Sequence, residues 1–144
     1  MSQIRWVTPD FAVSPQIDAR VVGEAAALGF KSVVNNRPDG EALGQPKGEE
    51  IAAAAAAHGL QYRAVPFSGP PPPATVEALS DLLGALPAPV LAYCRTGTRS
   101  IMAWAMAQAL VGARPVDELI LLAEKAGYDL SGARPALETL SPRH

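Results

Sequence analysis

Apolar residues in this chain switch between two spacings, and each switch marks a new element. "IRWV" and "FAV" near the start are short apolar runs that predict strands. "SPQIDARVVGEAAALGF" then places Val21, Val22, Ala25, Ala26 and Leu28 on one face, the spacing of a helix, with Gly29 as its stop. "FKSVVNN" predicts a β-branched strand, and "RPDGEALGQPKG" a loop by its proline, glycine and aspartate. "EEIAAAAAAHG" predicts a helix with both acids in its first turn. "LQYRAVPF" follows as a strand and "SGPPPP" as a stiff extended connector. "TVEALSDLLGAL" keeps Val76, Leu79, Leu82, Leu83 and Leu86 at helical spacing. "PVLAYC" is a short apolar run that fits a central strand buried on both faces. "SIMAWAMAQALVG" is apolar nearly all round, as a buried helix must be. "PVDELILLAEKAG" and "PALETL" add two more helices, each with proline near its first turn.

Strands alternating with helices predict an α/β fold: a three-layer sandwich with a mainly parallel central sheet flanked by helices. No repeat and no linker divides the chain, so residues 1–144 are expected to form one domain. Trp104, Met102 and Met106 are expected in the core, Trp6 and Phe11 at a sheet edge, and Tyr93 against one helical layer. Tyr62 could reach the mouth of a site, but packing is the simpler role.

Composition narrows the function classes. A net charge of −2 and the lack of any basic run argue against nucleic acid. No apolar stretch reaches membrane-spanning length, and "MSQIRWVTPDFAV" lacks the basic and apolar regions of a secretory leader. The single cysteine cannot form an intrachain disulfide, which fits a reducing, cytoplasmic setting. His58 and His144 lie far apart in sequence, so no metal site is expected, and no cofactor either.

The candidate chemistry lies in "CRTGTRS". Cys94 ends the central strand and Ser100 opens the buried helix. Ligands of open α/β sheets bind at that end of the strands. The first N–H groups of the helix have no partner within it, and Gly97 can turn loop amides inward. The helix N-terminus, Arg95 and Arg99 add positive charge. Everything here stabilises negative charge, first of all a thiolate on Cys94, and the Ser100 hydroxyl could donate to the sulfur. A lone cysteine after an apolar strand is otherwise a small buried hydrophobe.

"CRTGTR" resembles the rhodanese active-loop pattern Cys-Arg-x-Gly-x-Arg at every fixed position. "VVNNRPDGE", "QP", "AYCRTGTRS" and "AGYDLSG" together resemble the beta-lactamase-hydrolase-like family, from "FAVSPQI" to "RPALETL". The resemblance implies a cysteine-phosphatase-like fold and, as a partner, a persulfide dioxygenase to which such domains are sometimes fused. Four residues separate Cys94 from Arg99, one fewer than in cysteine phosphatases. A tighter ring of amides suits a terminal sulfur better than a phosphoryl group with three equatorial oxygens. The loop after "LQYRAVPF" has no carboxylate before Glu77, where such phosphatases carry a general acid. Asp39 or Glu41 in "NRPDGE" is the alternative donor.

The expectation from sequence is therefore a sulfurtransferase. Cys94 and Arg99 are catalytic, and Arg95, Thr96, Gly97, Thr98, Ser100, Arg37 and Asp39 bind substrate. The donor would be thiosulfate or a small persulfide, and the acceptor cyanide or a thiol such as glutathione. Arg37 either adds positive potential to the site or pairs with Asp39 or Glu41. The alternative is a tyrosine- or dual-specificity-type phosphatase using the same thiolate. A third reading is a module that binds an anion or senses oxidants without turnover.

Overall fold

A computed structural model describes residues 3–142; His144 lies outside them. Five strands form one sheet in the order β1-β2-β5-β3-β4. They are β1 (Arg5–Thr8), β2 (Phe11–Ser14), β3 (Ser32–Asn35), β4 (Gln61–Ala64) and β5 (Val90–Tyr93). β1 is antiparallel to β2, and the other pairings are parallel. The run "PVLAYC" supplies the middle strand, buried along its length as expected.

The period-two alternation of the strands assigns the two layers. Val13, Val34, Val90 and Ala92 face one core, and Ala12, Val33, Leu91 and Tyr93 face the other. The second core is closed by α1 (Ala19–Ala27) and α2 (Gly48–Ala57). The first lies under α3 (Pro73–Ala85), α4 (Thr98–Leu110), α5 (Val116–Lys125) and α6 (Arg134–Leu140). The three-layer sandwich with a mainly parallel sheet is thus the observed fold.

Local chemistry starts and stops these helices where the sequence places the signals. Asp18 Oδ1 accepts the Val21 N–H at 3.0 Å and caps α1. α2 has no side-chain cap at Lys47; Asp39 Oδ1 instead accepts the Gly48 N–H at 2.8 Å. Most of α4 is buried, including its alanines at 103, 105, 107 and 109. Small side chains let neighbouring elements approach it closely.

Trp104 is buried and stacks on Phe11, with ring centroids 5.3 Å apart. Phe11 sits on β2 inside the sheet, so the expected edge position holds for Trp6 alone, which stacks on Phe30 at 4.6 Å. Met102 and Met106 pack against the core but are only half-buried, because they also line a groove beside α6. No helix among the described residues is long and apolar enough to cross a membrane.

Register decides where chemistry can occur. Ser14 pairs with Tyr93, and Asn35 pairs with Tyr93 on its other side. Three adjacent parallel strands therefore end at one level, and the residues that follow each of them converge. The Phe11–Trp104 stack couples β2 to α4 behind that edge. Trp104→Ala should cost about 3–5 kcal/mol of unfolding free energy, the usual range for emptying a large aromatic site. Urea denaturation of the variant beside the parent protein measures it.

Candidate active site

Cys94 follows β5 directly and is fully buried, its N–H reaching Ser14 O at 3.4 Å. The chain then turns through Arg95 and Thr96 into Gly97, which has φ 94° and serves as the N-cap of α4. That conformation strains any residue with a Cβ, and a Cβ here would also collide with the Tyr128 hydroxyl. The turn aims the Gly97 N–H at Cys94 Sγ, 3.1 Å away. The N–H groups of Arg99 and Ser100 head the helix without a hydrogen-bond partner among the described residues. Positive helix potential and an inward amide thus meet at the sulfur.

Arg99 is held from behind. Its Nη1 donates to Glu41 Oε2 at 3.0 Å and to Phe67 O at 2.9 Å, and its Nη2 donates to Glu41 Oε1 at 2.7 Å. A guanidinium has five donors in a fixed plane, with two edges that can each grip an oxyanion. Glu41 takes one donor from each Nη along the terminal edge, and Phe67 O takes the other Nη1 donor. The Nε and second Nη2 donors meet no oxygen acceptor among the described residues, and Arg99 interacts with Cys94 by charge and by side-chain hydrogen bonding.

The same carboxylate binds Arg37. Arg37 Nε donates to Glu41 Oε1 at 2.9 Å, and Nη1 donates to Gln16 Oε1 at 3.0 Å. Arg37 is buried, and its N–H is fixed by Asn35 Oδ1 at 2.8 Å. Of the sequence alternatives for Arg37, the ion pair with Glu41 is the one the contacts show, and that carboxylate also binds Arg99. Hydrogen bonding from Arg99, then from Arg37, holds the Glu41 carboxyl down to about 2 despite some burial. At neutral pH Glu41 is an anion and supplies no proton.

Two of the sequence expectations, for Asp39 and Ser100, differ from the contacts observed. Asp39 does not pair with Arg37 and is not turned to the active loop; its carboxylate caps α2. The Ser100 hydroxyl does not reach the sulfur, because it donates to Asn36 Oδ1 at 2.8 Å inside the protein. Asn36 in turn donates to Val65 O at 3.0 Å, so this buried pair fastens α4 to the strand-end loops. Thr96 and Thr98 are exposed, and their hydroxyls bond to each other at 3.0 Å. Arg95 is also exposed, with no side-chain partner among the described residues, and its carbonyl accepts the Gln16 N–H at 3.3 Å. Tyr62 stays in the packing layer, its hydroxyl taking a hydrogen bond from Asn35 at 2.9 Å.

Gln16, Asn36 and Tyr128 are not assigned to the site from sequence, and Glu41 enters there only as an alternative proton donor or a partner of Arg37. Glu41 had a visible signal as the acid that closes "NRPDGE", and Tyr128 as the aromatic of "AGYDLSG". Gln16 and Asn36 had none, since only strand register brings them here.

Residues 3–111 match the family described as beta-lactamase hydrolase-like protein, phosphatase-like domain. The chain belongs to that family. A beta-lactamase hydrolase-like protein of Agrobacterium fabrum is 36% identical over 117 residues, covering 81% of this chain and 27% of the relative. This phosphatase-like domain thus spans about a quarter of that relative's length. A solved structure from Neisseria meningitidis, provisionally assigned as a phosphatase, has TM-score 0.85 at 33% identity, covering 97% of this chain and 99% of that one. The core catalytic domain of a PP-IP phosphatase from S. cerevisiae has TM-score 0.70 at 14% identity, covering 99% and 87%, a likeness of fold alone. Phosphatase-like relatives favour the second sequence reading over sulfur transfer.

The clamp on Glu41 makes the site of this beta-lactamase hydrolase-like domain acid-sensitive. As pH falls from about 4.5 to about 2, the unfolded chain protonates Glu41 while the folded one resists. Stability is gained above that window and lost through it. Glu41→Gln should flatten this part of the acid-unfolding profile, read as the urea midpoint against pH; an unchanged slope would contradict the clamp.

Proposed function

We propose that this domain is a cysteine-dependent phosphatase that hydrolyses a phosphate monoester through Cys94. The Nε/Nη2 fork of Arg99, held beside a sulfur that already receives an inward amide, carries the reading. The fork would grip two non-bridging phosphate oxygens, and the free N–H groups of Arg99 and Ser100 would face the charge that builds on the third. The thiolate attacks phosphorus, an S–P bond forms, and the ester P–O bond breaks with its electron pair leaving on oxygen. Water then attacks phosphorus, releases inorganic phosphate and restores the thiolate.

No carboxylic acid among the described residues is poised to protonate the leaving oxygen. Glu41 is ionised, Asp39 caps α2, and the loop from 68 to 75 has no acid. The leaving group must then be a good one, such as a phenolate. A groove of about 330 Å³ shares Thr98 and Arg99 with the active loop, and Phe67, Pro70, Pro71, Met102 and Met106 line much of the rest. Apolar walls beside an anion fork suit an aryl phosphate.

Sulfur transfer stands as a second reading on one observation, the short spacing of Cys94 and Arg99. There the thiolate attacks the outer sulfur of thiosulfate, and sulfite leaves with the S–S electron pair. A thiol acceptor then takes that sulfur from the Cys94 persulfide.

Purified protein assayed with aryl and alkyl phosphates, and weighed intact after thiosulfate treatment, separates the two. The phosphatase reading expects hydrolysis of aryl esters that Cys94→Ser abolishes. It also expects Arg99→Ala to lower kcat/KM by roughly 10²–10³, as for removal of an oxyanion donor. A cyanide-labile gain of one sulfur atom, with no phosphate released, would overturn it in favour of sulfur transfer.

A further inference from the structure

Tyr128 reaches the active loop from the segment that follows α5. It follows Gly127, whose φ of 99° ends α5. The Gly127 N–H returns to Glu124 O at 2.9 Å and the Tyr128 N–H to Ala123 O at 2.9 Å, a Schellman termination that fixes where Tyr128 leaves the helix. Beyond it, Asp129 Oδ1 accepts both the N–H and the hydroxyl of Ser131, and Leu130 is buried in the core. The tyrosine is therefore presented from an anchored segment.

Its hydroxyl donates to Thr96 O at 2.9 Å. The Gly97 N–H that points at Cys94 Sγ, 3.1 Å away, belongs to the same peptide group as that carbonyl. A planar peptide carries its C=O and N–H on opposite sides. Fixing the carbonyl towards Tyr128 therefore fixes the N–H towards the sulfur. A hydrogen bond to the carbonyl also polarises the amide and strengthens its own donation. Gly97 completes the device, because only a residue without Cβ leaves room for the hydroxyl. Burial, and then the Cys94 charge, raise the Tyr128 phenol above its ordinary value while Arg5 pulls the other way. The hydroxyl keeps its proton and stays a donor.

We propose that Tyr128 is a positioning residue that acts on Cys94 through the Thr96–Gly97 peptide, locking the amide that stabilises the thiolate. Its effect on turnover rests on the reading of Cys94 as the nucleophile; its effect on the amide does not.

Amide proton–nitrogen spectra of the parent protein and Tyr128→Phe, each with and without Cys94→Ala, test this. In the parent background, removing the sulfur should shift the Gly97 amide proton upfield as its acceptor is lost. In the Tyr128→Phe background the same removal should move it less than half as far, because the peptide is no longer held. If the tyrosine merely filled space, the substituted phenyl ring would pack alike and preserve that response. At neutral pH, Tyr128→Phe should lower kcat/KM for an aryl phosphate about five- to tenfold, the scale of one neutral hydrogen bond. An equal Gly97 response in both backgrounds overturns the proposal, as does unchanged kcat/KM in an active enzyme. Absence of Cys94-dependent turnover in the parent protein would sink the phosphatase reading, while the spectra would still decide the role of Tyr128.

Discussion

One carboxylate organises the candidate site. Glu41 accepts from Arg37 and from two nitrogens of Arg99, so the loop after β3 and the first turn of α4 share a single anion. Without it, two guanidiniums would face each other at the end of a parallel sheet, one of them buried. An uncompensated buried charge is among the costlier faults a fold can carry. With it, Arg99 is oriented by one edge and left available on the other. The carboxylate thus serves stability and site geometry by the same bonds, and its ionisation is secured by the two cations it joins.

The scaffold makes that arrangement possible. Parallel strands β2, β5 and β3 end level, so Gln16, Cys94 and Arg37 come together although they are distant in sequence. Ser100 and Asn36 fasten the helix to the sheet beneath the loop with every buried polar side-chain atom of the described residues satisfied. A rigid floor matters because an anion cradle built from backbone amides works only when those amides cannot turn away. Gly97 gives the loop its shape, and its neighbours keep that shape.

Most of the fold was legible because its elements announce themselves locally. "PVLAYC" reads as a central strand from apolar content alone, and "SIMAWAMAQALVG" as a buried helix from the absence of a polar face. The loop chemistry was legible for the same reason, since Cys94, Gly97 and Arg99 lie within six residues. What sequence could not convey was the allocation of polar partners. Whether Asp39 or Glu41 meets Arg37 depends on how the "RPDGE" turn folds back, and Asp39 is claimed by the α2 N-terminus. The hydroxyl of Ser100 lies close to the sulfur in sequence, yet register puts Asn36 within its reach first. These are competitions among near neighbours, settled by a few ångströms of tertiary placement.

Phosphoryl transfer and sulfur transfer would share one thiolate and diverge at the electrophile. Only four residues separate Cys94 from Arg99, and the ionised Glu41 holds no proton for a leaving group. Both constraints act on the departing atom more than on the attacking one. A phenolate and a sulfite ion can each leave without an acid, so as a nucleophilic site this cradle would accept either and disfavour a simple alkoxide. The apolar groove beside Arg99 supports the phosphatase proposal, since it would offer an aryl ring contact area that a small sulfur oxyanion could not use. On the proposed phosphatase reading, selectivity would arise from what the site withholds from the leaving group and from the surface it offers beside the charge.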